Sequence, residues 1–156
     1  MTKTVSKISL AVVCGSIVAF GASCGHKKIS YNAAEATASS ETDGKGLITQ
    51  VIWLKPKKDT IDLKVSLTNH YAHDIAFKRS AVRMTFNGVN GVPKKNDLTG
   101  DLPAGATESA VLIFEFDRIV AKKGTVVLTI DPITGGAGEA NEGKKIPAIN
   151  LELPVK

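Results

Sequence analysis

Residues 60–69, TIDLKVSLTN, alternate apolar and polar side chains without a break. Ile61, Leu63, Val65 and Leu67 fall at one parity, and Asp62, Lys64, Ser66 and Thr68 at the other. Successive side chains leave a pleated backbone on opposite sides, so a period of two belongs to a strand with one face in a core and one in water. A helix would scatter the same apolar set around its axis. The pattern returns at Val82, Met84 and Phe86, at Leu112, Phe114 and Phe116, at Val126, Leu128 and Ile130, and at Ile149, Leu151 and Leu153. Residues 47–54, LITQVIWL, alternate imperfectly and predict an opening strand with an irregularity. A short strand is expected over 74–77, and no stretch of this region has a helical period.

Turn chemistry separates the runs. Asn87-Gly88 and Asn90-Gly91 tolerate positive φ. LPAG at 102–105 suits a type I turn with Pro103 second and Gly105 fourth. Residues 134–145, TGGAGEANEGKK, are expected to form a long mobile loop. About seven short antiparallel strands over residues 47–156 make an all-β chain, and the predicted architecture is an immunoglobulin-like antiparallel β-sandwich. It lacks the Cys…Trp…Cys arrangement of antibody domains, and Trp53 lies on the first strand.

The first 23 residues have a different character. Lys3 and Lys7 precede an apolar run over 8–20, and Gly21, Ala22 and Ser23 are small. A charged start, a short apolar core and a small-residue site make a secretory signal peptide, and the run is too short for a comfortable transmembrane helix. Cys14 would leave with the leader, so Cys24 has no partner for a disulfide. With Ala22 and Ser23 before it, Cys24 resembles the lipobox cysteine of bacterial lipoproteins, although Gly21 stands where that family has leucine. The resemblance implies that Cys24 carries a diacylglyceryl group and becomes the mature N-terminus. It implies an exported protein, lipid-anchored to the cell envelope. Gly25 in place of aspartate favours the outer membrane if the cell has one.

Residues 24–46 are rich in Ala, Ser, Thr, Gly and charge, with Ile29 and Tyr31 as the large apolar exceptions. Such a composition cannot bury a core of its own and is expected to act as a flexible tether. A coil of this length would hold the domain about 25 Å from the membrane on average. The expected organisation is therefore a leader over 1–23, a lipidated tether over 24–46 and one β domain over 47–156.

Within the domain, KVSLTN (64–69), IAF (75–77), LPAG (102–105) and LIFEF (112–116) follow one another in an order similar to two groups. These are the immunoglobulin-like modules of secreted lipoproteins and the water-stress domains of late-embryogenesis proteins. The resemblance implies a fold and transfers little about function.

Charge and motifs narrow the functional classes. Removal of the leader leaves 18 basic against 15 acidic residues, spread in Lys-Lys pairs at expected turns. With no basic stripe interleaved with aromatics, nucleic acid is not an expected partner. No G-x-S-x-G elbow, P-loop or dinucleotide fingerprint occurs, and the Glu115/Asp117 pair lies on an open strand face, so no enzyme and no cofactor are expected. His70, His73 and Asp74 in NHYAHD are candidate metal ligands for copper or zinc, set against a polar loop in which Asn69 bonds nearby backbone. Asn87, Asn90, Lys94 and Lys95 are candidate binding residues, being polar and free of core duty. The expected function is a lipid-anchored envelope binding or accessory module, with the membrane and a protein or cell-wall partner. A metal-binding protein and a structural or stress-protective envelope protein are the alternatives. No small-molecule substrate is identified.

Overall fold

The computed structural model describes residues 27–41, 44–117, 123–131, 133–135 and 145–155; the lipobox, Cys24 and His26 lie outside them. Among the described residues the chain is all-β. Seven strands have five or more residues: β3 (Leu47–Pro56), β4 (Thr60–Asn69), β6 (Val82–Phe86), β8 (Val92–Asn96), β10 (Thr107–Glu115), β11 (Gly124–Ile130) and β14 (Ile149–Val155). Seven shorter ones complete the ladders: β1 (Ile29–Ser30), β2 (Thr37–Ser39), β5 (Ile75–Phe77), β7 (Val89–Asn90), β9 (Asp101–Leu102), β12 (Ile133–Gly135) and β13 (Lys145–Ile146).

One sheet runs β1-β3-β4-β10-β8, with β2 also pairing to β3. The second runs β14-β11-β6-β7, and a third, smaller sheet runs β13-β12-β5-β9. Every pairing is antiparallel, and together they form a β-sandwich. The alternation read from the sequence becomes the core: Ile61, Leu63, Val65, Leu67, Leu112 and Phe114 are wholly buried, as are Val126, Ile130 and Leu153. Each such side chain contributes about 1.5–3 kcal/mol by leaving water.

The irregularity expected in the opening strand is a β-bulge. Between Val51 and Trp53 the register with β4 shifts, leaving Ile52 as the extra residue, 38% exposed, while Leu54 returns to the core. A second adjustment lies at Gly91, where the chain passes from β7 in one sheet to β8 in the other. A Cβ there would come within 2.6 Å of the Phe116 ring, so a larger residue at the crossing would force that ring to shift.

Two expectations change. Within the segment expected to be a flexible tether through residue 46, Ile29–Ser30 and Thr37–Ser39 are strands of the main sheet. Ile29 and Ser30 pair with Leu54 and Trp53, residues 37–39 pair with 48–50, and Ala36 is wholly buried. Strand addition runs through backbone N–H and C=O groups, so it needs no apolar alternation. The loop expected over 134–145 is also shortened: Thr134 and Gly135 belong to β12, Lys145 to β13, and 136–144 lie outside the described residues.

Candidate functional site

Leu47 pairs with Asn69, and Leu54 with Leu63, so one end of the main sheet gathers the starts of β3 and β10 with the end of β4. Ser40 and Gly46 and the loops 70–74 and 102–106 meet there. Asn69 organises them from a fully buried position. Its side-chain amide donates to the carbonyls of His73 (2.9 Å), Leu102 (3.0 Å) and Pro103 (3.1 Å), and its Oδ1 accepts the Tyr71 N–H at 2.9 Å. Its own N–H donates to the Ala106 carbonyl, and its carbonyl accepts the Gly105 N–H. Asp74 closes the same junction, its Oδ1 accepting the Ala104 N–H at 2.9 Å. The spacing of the Thr-Asn and LPAG segments thus has a mechanical basis: one buried amide clamps two loops.

The third loop is held by hydroxyls. Ser40 Oγ accepts the Leu47 N–H and hydrogen-bonds the Tyr71 hydroxyl, each at 2.9 Å. Gly46, at φ +79°, passes beneath this pair, where a Cβ would lie 2.6 Å from Ser40 Oγ. Burial raises the Tyr71 phenol above its ordinary pKa; the Ser40 bond opposes this and Glu41 adds to it. The Tyr71 and His73 rings lie 5.2 Å apart between centroids, tilted by 34°. Nε2 of His73 is buried with no hydrogen-bond partner among the described residues. The result is a cross-braced loop end that carries exposed His70 and the half-buried Tyr71–His73 ring pair.

As a metal centre the expected ligands do not converge. His70 is exposed, the His73 ring packs beside Tyr71, and the Asp74 carboxylate is engaged by backbone. Among the described residues no three His, Cys, Asp or Glu side chains gather as a metal site.

The second candidate set separates into three roles. Asn87, at φ 49°, is a turn anchor: its Oδ1 accepts the Thr125 N–H at 2.8 Å while its own N–H donates to the Thr125 carbonyl. Asn90 borders a shallow hollow of about 370 Å³ with Arg83, Thr85, Gly91 and Thr129 on the outer face of the second sheet. Lys94 and Lys95 sit on β8, which pairs with β10 on one side, and they reach Glu115 (2.6 Å) and Asp97 (2.7 Å). The Glu115 hydrogen bond and charge hold the Lys94 ammonium above its usual pKa. With Pro93 beside them, these lysines are what an edge strand carries to discourage pairing with another chain.

No family model matches the chain, and no curated protein matches it in sequence. Solved structures do resemble it. A Bacillus subtilis protein described as a "putative lipoprotein (ycdA)" aligns with a TM-score of 0.54 at 11% identity, over 78% of this chain and 39% of that one. The chain therefore spans about two fifths of that protein's length, and at such identity the likeness is one of fold. A functionally unknown protein from Listeria monocytogenes aligns at 15% identity over 85% of this chain and 90% of the other, with a TM-score of 0.46. The all-β fold is one that a lipoprotein-named chain also has.

Two features of the molecule, one at this loop end and one at the opposite end of β3, were hidden in the sequence. Ser40 sits in low-complexity composition, where nothing marks it as a partner for Tyr71. Lys28, whose ammonium stands 4.4 Å from the centroid of the Trp53 ring, likewise has no local signal.

Proposed function

We propose that the chain is a lipid-anchored accessory module of the cell envelope, with an immunoglobulin-like sandwich that recognises a partner through the loop end around Tyr71. The observation that carries this reading is the clamp at Asn69. It fixes the 70–74 and 102–106 loops at the end of the main sheet opposite the point where the N-terminal segment arrives. β3 spans ten residues, so about 30 Å separates those two ends. A domain held by its N-terminus would present the clamped loops away from the membrane. Loops positioned by a rigid scaffold commonly carry recognition. The module is read as non-catalytic: Ser40 bonds to a phenol and a backbone N–H rather than to a base, and the hollow beside Asn90 is open and shallow.

The test is photo-crosslinking in intact cells from a reactive residue placed at His70. The expected result is a discrete crosslinked product that disappears when Tyr71→Ala is added. A Cys24→Ser variant should leave the membrane fraction and lose the same product. Retention of Cys24→Ser in the membrane would overturn the lipid anchor, and an unchanged product in Tyr71→Ala would overturn the loop end as the contact surface.

A further inference from the structure

The end of the sandwich that receives the N-terminus has its own chemistry. Ile29 pairs with Leu54 and Ser30 with Trp53, so Lys27 and Lys28 arrive beside the last turn of β3 and the β3–β4 turn. There Lys28 stacks on Trp53, Ile52 is extruded by the bulge, and Lys55 and Lys58 complete a basic rim. Trp53 opposes Lys64 of β4, whose side chain is on the outer face, which places the indole on the outer face as well. Of the acids near this turn, Asp62 is paired with Lys57 at 2.5 Å and Glu115 with Lys94 at 2.6 Å, which leaves Asp59 and Asp117 beside four lysines.

Covalent reach then sets the position of this patch. Three peptide units separate Cys24 from Lys27, so their Cα atoms lie within about 11 Å of each other. Because the chain joins the sheet at Ile29, the stand-off of about 25 Å expected for a long coil collapses to a few residues. If Cys24 is the lipid-bearing residue, the patch is brought to the headgroup layer. Indole rings favour that layer, and lysines beside it are drawn to anionic phosphates.

We infer that Ile52, Trp53, Lys27, Lys28, Lys55 and Lys58 form a docking surface for the anionic headgroups of the membrane that holds the N-terminus. This inference rests on the lipid-anchor reading and adds a fixed orientation to it: β3 stands away from the bilayer, and the Tyr71 loops face outward.

Trp53 is the sole tryptophan of the chain, so its emission reports on this patch alone. The full chain would be purified from membranes, its lipid verified by intact mass, and reconstituted into phosphatidylglycerol-containing or purely phosphatidylcholine vesicles with brominated acyl chains. The expected result is a blue shift and quenching of Trp53 emission in the anionic vesicles, both largely lost in Lys28→Glu and in Lys55→Glu/Lys58→Glu. Those variants should retain the lipid and the wild-type thermal midpoint. Unquenched emission in a lipid-bearing chain, equal quenching in both vesicle types, or quenching unchanged by charge reversal would overturn the docking surface while leaving the anchor intact. A mature chain without lipid mass would overturn the anchor and the docking with it.

Discussion

The side-chain amide of Asn69 donates to the carbonyl of Leu102 at 3.0 Å, joining positions 33 apart in sequence. With the bonds to His73 and Pro103, this places three carbonyls on one buried donor group. Asn69→Ala strands these carbonyls and the Tyr71 N–H, and it should cost about 2–3 kcal/mol, read as a fall of roughly 10 °C in thermal midpoint. Asn69→Asp should be worse, because it replaces the donor with a carboxylate facing carbonyl oxygens. A midpoint within a degree or two of wild type for either variant would mean that the loops hold themselves.

The two tyrosines give a pH signature. Burial raises the phenols of Tyr31 and Tyr71 above 10.0, helped by Glu35 at the first and opposed by Ser40 at the second. The folded state thus holds these protons more tightly than the unfolded chain. Their contribution to stability is complete below the ordinary phenol pKa and is lost as pH rises through the raised folded values. Ultraviolet titration of phenolate absorbance should show both midpoints above 10.0 in the native protein, returning to it in denaturant. Tyr71→Phe should remove one of the two steps.

At the sheet crossing, Gly91→Ala drives a methyl group into the Phe116 ring, which packs edge-on against Phe86. Overpacking of this kind costs about 1–3 kcal/mol. Phe116→Leu in the Gly91→Ala background should recover part of the loss, although Phe116→Leu alone destabilises. Chemical denaturation of the four proteins closes the cycle, and strict additivity would show that the ring is not what Gly91 accommodates.

On β8, Lys94 and Lys95 protect an open sheet edge. Replacing both with valine removes two exposed ion pairs, so the thermal midpoint should stay close to wild type. Self-association measured by light scattering should rise, because an apolar edge strand with free N–H and C=O groups pairs with its like. A variant that remains monomeric at high concentration would return these lysines to the list of binding residues.

Copper or zinc titration of the mature protein should give no saturable site. His70 and His73 contribute at most two ligands, and Asp74 is bound by the Ala104 N–H. A stoichiometric site lost in His70→Ala/His73→Ala would revive the metal reading.

How much was legible differs by element. Ile61 through Leu67 announced a half-buried strand because side-chain parity alone separates core from solvent, and burial follows it except at Asp62, which is covered while paired with Lys57. The uneven alternation around Ile52 likewise marked a real bulge. Asn69 was readable as a residue that bonds backbone, but its partners at Leu102 and Pro103 were not, since they come from a distant loop. Lys94 and Lys95 looked free because sequence shows charge and not the edge position that explains it.

The sequence by itself determined which side chains must be hidden and where the chain turns. These are local properties, written in polarity, period and turn chemistry. Only the tertiary structure decided that residues 29–30 and 37–39 join the sheet, that Lys28 meets Trp53, and that the loops around Asn69 lie at the far end of β3. Those outcomes depend on backbone hydrogen bonds, which every non-proline residue offers alike, and on loop closures that bring distant residues together. Neither leaves a mark in the local pattern of side chains.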